Sequence, residues 1–121
     1  MQIHGREIGF RRSVLATCRI AEICPGKDLN KLGDLLGGDI VTALETAVTF
    51  VCALNEAYEQ HRKLEEPGYI PNPLTKEELL DETEDTLMAL VMDAVSVFQA
   101  DGETTVETEA PKGKNADTAS E

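Results

Sequence analysis

The chain has 121 residues, 41% of them hydrophobic and none of them Trp, which allows one domain with a modest core of Leu, Val, Ile and Ala, a composition that favours helices. The formal charge of -12 is unevenly placed: Met1 to Lys63 carries eight acids and eight bases, whereas Leu64 to Glu121 carries fifteen acids against Lys76, Lys112 and Lys114. Such a surface repels nucleic-acid phosphates and anionic lipid and suits a basic partner, so neither nucleic acid nor membrane is an expected partner.

No apolar run approaches the ~20 residues that cross a bilayer, and the N-terminus lacks the basic start and apolar core of a signal peptide. The expectation is a soluble, cytoplasmic protein. Cys18, Cys24 and Cys52 are odd in number and never spaced as CxxC, which fits reduced thiols used as small core residues. His4 and His61 do not add ligand spacing for a metal. No nucleophile, base and orienting group form a catalytic signature, so neither an enzyme nor a cofactor is expected.

In chain order, Gln2 and Ile3, then His4-Gly5, then Glu7, Ile8 and Phe10 predict a small β-hairpin with Phe10 as its anchor. A lone hairpin is marginal in water and must lie on the helices. Ser13 is a cap for a helix whose predicted apolar side is Leu15, Cys18, Ala21 and Ile23, ended by Pro25-Gly26. Asp28 opens a shorter helix carrying Leu29, Leu32, Leu35 and Leu36, and Gly37-Gly38 closes it.

Asp39 caps the central element, a helix to about Lys63. Ile40, Leu44, Ala47, Val51, Leu54 and Tyr58 form one stripe, widened by Val41, Ala43, Val48, Phe50 and Ala57. Only Thr42, Glu45, Thr49 and Glu56 mark a polar strip, so neighbours should wrap this helix on most sides. Pro67, Pro71 and Pro73 then make an irregular connector, which Tyr69 and Ile70 are expected to pin to the core, their exposure instead marking a docking point.

Thr75-Lys76-Glu77-Glu78 reads as a capping box that opens one late helix, with Leu80, Leu87, Val91, Ala94 and Phe98 on its apolar face. Glu77, Glu78, Asp81, Glu82, Glu84 and Asp85 crowd its start. A helix dipole accommodates the first few acids but not the mutual repulsion of six, so the cluster is either a solvated helix start or a docking surface for a basic partner. Met88 and Met92 are expected in the core, with an adaptable contact surface as the alternative. From Gly102 onward the polar composition predicts disorder. The fold class is therefore mainly α: a helical domain over residues 1–101 with a short N-terminal β-hairpin, then a disordered acidic C-terminal tail over 102–121.

An IHGREIGFRRSVLATCRIAEI segment, a mid-chain helix, a YIPNPLTKEELLDETEDTLMALVMDAVSVF block and a polar tail follow one another. This order resembles the tail assembly chaperones of long-tailed bacteriophages and prophages of Gram-positive hosts, in which a short entry hairpin leads into a helix and an "-LTxEEl.D" piece opens a late acidic helix. The likeness runs over most of residues 1 to 101. It implies a non-enzymatic protein of the host bacterial cytoplasm that keeps the tape-measure protein soluble while tail tube protein polymerises around it, and that is absent from the finished virion. Tape-measure and tail tube proteins are the partners so implied, and self-association is left open. Glu77, Glu78, Asp81 and Glu82 match the acidic helix start of that family. The resemblance also implies a longer form made by ribosomal frameshifting, for which the codons of Gly113-Lys114-Asn115 could supply a slippery A AAA AAC heptamer.

Three other readings compete. An acyl carrier protein would need a serine after the aspartate at a helix start, and Asp39-Ile40-Val41 has none. A phage neck or head-to-tail connector subunit would also be small and helical, and an acidic adaptor or inhibitor would occupy a basic site on another protein.

Overall fold

A computed structural model describes residues 2–100, and the tail expected to be disordered lies outside the described residues. Within them the chain is mainly helical. Strands β1 (Gln2–Ile3) and β2 (Arg6–Glu7) pair antiparallel, Gln2 opposite Glu7 and Ile3 opposite Arg6. His4 and Gly5 both take positive φ, 52° and 77°, which a two-residue turn needs at both centres if its twist is to match the strands. Ile8 and Phe10 follow and are buried, so the hairpin is anchored where expected.

Helix α1 (Val14–Ile23) begins where the Ala16 amide donates to Ser13 Oγ at 3.3 Å. Its buried side is Ala16, Ile20 and Cys24, whereas Leu15 and Cys18 are exposed. The expected face of Leu15, Cys18 and Ala21 is thus wrong by almost half a turn of the helix wheel. Size misled: the small Ala16 is fully buried, and just before the helix the guanidinium of Arg12 stacks 3.9 Å from the centre of the Phe98 ring and donates to the Phe98 carbonyl at 2.9 Å. Two short 3₁₀ turns, Pro25–Lys27 and Leu29–Lys31, lead into α2 (Leu32–Leu36).

The central helix α3 (Ile40–Glu65) is capped as expected, the Thr42 amide donating to Asp39 Oδ2 at 3.1 Å. Its 26 residues span about 39 Å at 1.5 Å per residue, and α1, α2, α4 (Lys76–Leu80) and α5 (Glu84–Gln99) all pack on it. From Thr46 to Ala57 burial reaches nearly every side, with Phe50, Val51 and Leu54 fully enclosed. The stripe fails at the N-terminal end, where Ile40 and Val41 are exposed and Leu44 is half-buried. By length and composition alone α3 could cross a bilayer, contrary to expectation, but half of its most apolar window is buried inside the domain.

The predicted single late helix is in fact two. Helix α4 ends at Leu80, and Thr83 caps α5 through the Thr86 amide at 3.2 Å. The break moves the buried position from Leu80, 70% exposed, to Leu79, 2% exposed. In α5 the core side is Leu87, Leu90, Val91, Ala94 and Val97. Met88 and Met92, expected in the core, are 49% and 69% exposed.

Candidate partner-docking site

Two groups of side chains matter here, and they have opposite characters. The first consists of polar groups buried on α3. Asn55 is 1% exposed and bridges two irregular segments: its Nδ2 donates to the Gly9 carbonyl at 2.9 Å, and its Oδ1 accepts from the Leu74 amide at 2.7 Å. One turn on, Glu59 is 4% exposed and its Oε1 accepts from the Asn72 amide at 2.9 Å and from the Tyr69 hydroxyl. That bond to a carboxylate, with burial and the carboxylate's charge, pushes the Tyr69 hydroxyl above its usual pKa. Arg62 stacks 4.3 Å from the centre of the Tyr69 ring and pairs with Glu66 at 3.0 Å. Tyr69 therefore pins the connector as expected, but Ile70 is exposed.

Sequence reading missed Asn55 and Glu59, whose signal was present: two polar residues four apart inside a broad apolar stripe, beside a proline-rich connector whose amides cannot all find strand or helix partners. Burial also pushes the Cys52 thiol up to about 11, which keeps it neutral.

The six acids at the start of the late helices divide into two sets. Glu78 completes the capping box, its own amide donating to Thr75 Oγ1 at 3.1 Å and its Oε1 accepting from the Thr75 amide at 2.9 Å. Arg6 Nη1 donates to its other oxygen at 2.9 Å, and Arg6 also reaches the Asn72 carbonyl. The Thr75 amide holds the Glu78 carboxyl below its ordinary pKa, burial opposes it, and Arg6 adds to the lowering. Glu82 pairs with His4 Nε2 at 2.7 Å. Glu78 and Glu82 therefore fasten the hairpin to α4, over a cavity of about 100 Å³ floored by Ile8, Leu74, Leu79 and Leu90.

Glu77, Asp81, Glu84 and Asp85 are exposed. The helix break accounts for the crowding that one dipole could not: the chain has two helix N-termini here, with Glu77 and Glu78 in the first turn of α4 and Glu84 and Asp85 in the first turn of α5.

The second group lies beyond these acids on the outward side of α5. Met88 and Met92 are one turn apart, and Asp93, which sequence reading did not single out, is exposed beside them. Among the described residues no group of three or more His, Cys, Asp or Glu side chains is placed to hold a metal ion. No family model, curated protein or solved structure matches the chain.

Proposed function

We propose that this chain is a tail assembly chaperone of a long-tailed phage or prophage, which keeps the tape-measure protein soluble while tail tube subunits polymerise and does not remain in the mature virion. The observation that carries this reading is the outward face of α5, where two large flexible apolar side chains stand exposed among exposed acids. A very long, apolar helical partner needs its hydrophobic patches covered and negative charge lent to it before assembly. This face can do both, and a side chain such as Met adapts to many sequences along such a partner. The likeness of the hairpin and of the LTKEELLD segment to that family supplies the partner's name, and the charge supplies its chemistry.

The gene tests this reading. The codons of Gly113-Lys114-Asn115 are expected to form a slippery heptamer, an overlapping frame to continue past Glu121, and a very long helical reading frame to follow. Codons that break the heptamer, with no such long neighbour, would sink the proposal. Recovery of the protein in purified particles would favour a neck or connector subunit instead.

A further inference from the structure

We propose that the outward face of α5 is a docking site for a basic amphipathic helix of a partner protein, with Met88 and Met92 seated on its apolar stripe and Glu84, Asp85 and Asp93 paired with its flanking bases. At about 100° per residue, Met88 and Met92 lie about 40° apart on the helix wheel, Asp85 falls on the same ridge, Glu84 edges one side of it, and Ala89 and then Asp93 lead off on the other. The acids thus bracket an apolar ridge. Helix α5 contains no Lys, Arg or His, and Glu77 and Asp81 add exposed negative charge just before it.

The opposite side of α5 packs on α3 through Leu87, Leu90, Val91, Ala94 and Val97, so the ridge is rigidly held while its own side chains stay adaptable. Helix-in-groove recognition reads an apolar stripe at i, i+3, i+4 and i+7, and the bracketing charges select a helix whose stripe is edged by Lys or Arg. The same charges disfavour an anionic lipid surface or a nucleic acid. Glu78 and Glu82 do not belong to the site, because Arg6 and His4 already hold them.

Taken as the contact with the tape measure, the site rests on the proposed function; taken as a preference for one kind of helix, it does not. The test separates the two. The full chain is titrated with a synthetic peptide of about 18 residues made of Leu, Lys and Ala, with leucines at i, i+3, i+4 and i+7, long enough to fold as a helix on binding. A scrambled peptide of the same composition is the control.

The wild-type chain should bind the amphipathic peptide and discriminate against the scrambled one. Met88→Gln with Met92→Gln should weaken binding about tenfold or more, since one decade corresponds to less than the burial of a single Met side chain. Neutralising Glu84, Asp85 and Asp93 to amides should weaken it too and flatten its dependence on salt. Circular dichroism checks each variant, and Met88→Ala with Met92→Ala, which keeps helix propensity, replaces the Gln pair should that pair unfold.

Absence of binding, equal binding of the scrambled peptide, or unchanged affinity in the methionine variants would overturn the site. So would wild-type dimers at micromolar concentration that the methionine variants lose, because a second copy would then be the occupant. Loss of the site alone leaves the reading of the gene standing, and a gene without a tape-measure neighbour leaves the peptide result standing.

Discussion

The two sides of this domain invert the usual placement of polar and apolar groups. On the connector side of α3, Asn55 and Glu59 are buried polar groups, each satisfied by main-chain donors or acceptors of irregular segments. On the outward side of α5, Met88 and Met92 are large apolar groups left in water. The first arrangement stabilises the fold, because removing a partner from a buried amide costs more than the hydrogen bond is worth. The second buries much less on folding, and the proposed partner helix is what would cover it. Even the acids follow this division: Glu78 and Glu82 hold down the hairpin, whereas Glu77, Asp81, Glu84 and Asp85 face solvent.

Substitutions should separate the two sides by the size of their effect on stability. Asn55→Ala leaves the Gly9 carbonyl and the Leu74 amide unpaired in the interior and should cost about 3 kcal/mol in a urea titration, the largest loss of the set. A value under about 1 kcal/mol would mean that water replaces the side chain. Gly9→Ala comes next: a Cβ there would overlap the Tyr58 ring, and displacing that ring should cost about 1–3 kcal/mol.

The hairpin fastening is weaker and depends on pH. The Glu78 carboxyl titrates below its ordinary value of 4.5 in the folded chain, so the stabilisation it brings is complete above that value and is lost as pH falls through the lowered pKa. Amide protection factors in β1 and β2, which discount the intrinsic slowing of exchange in acid, should accordingly fall on acidification in the wild type, and an Arg6→Ala variant should be less protected already at neutral pH. The smallest effect belongs to Met88→Gln with Met92→Gln, expected within about 0.5 kcal/mol of wild type. A larger loss would place these side chains in the core after all and erase the contrast between the two sides.

Much of the fold was legible because its signals are local. Ser13, Asp39 and the Thr75–Glu78 box cap helices where expected, and the breadth of the apolar pattern from Thr46 to Ala57 marks α3 as the element on which the others pack. What failed depends on tertiary partners. Beside α1, Arg12 stacks on Phe98, which is far away in sequence, and periodicity with Leu15 as its anchor points to the wrong face. The break before α5 was written in Thr83, a second capping residue with acids after it, but the apolar spacing on either side reads as continuous without attention to that cap.

Of the candidate site, the six acids were found as a cluster. Their division between hairpin and solvent required His4 and Arg6 to be seen beside Glu82 and Glu78. Met88 and Met92 were expected inside because Met is a common core residue. Their exposure follows from the roll of α5, which Leu87, Leu90, Val91 and Ala94 fix against α3.

The chain has only three methionines, so a spectrum of ¹³C-labelled methionine methyl groups contains two reporters of the outward ridge and one at the N-terminus. Titration with the amphipathic Leu/Lys/Ala peptide should shift the Met88 and Met92 methyl resonances together and saturably, while amides near Gly9, Asn55 and Leu74 stay in place. Saturable binding that leaves both methyls unmoved, or that moves the hairpin and connector amides instead, would contradict the assignment of this face as the surface by which the protein meets its partner.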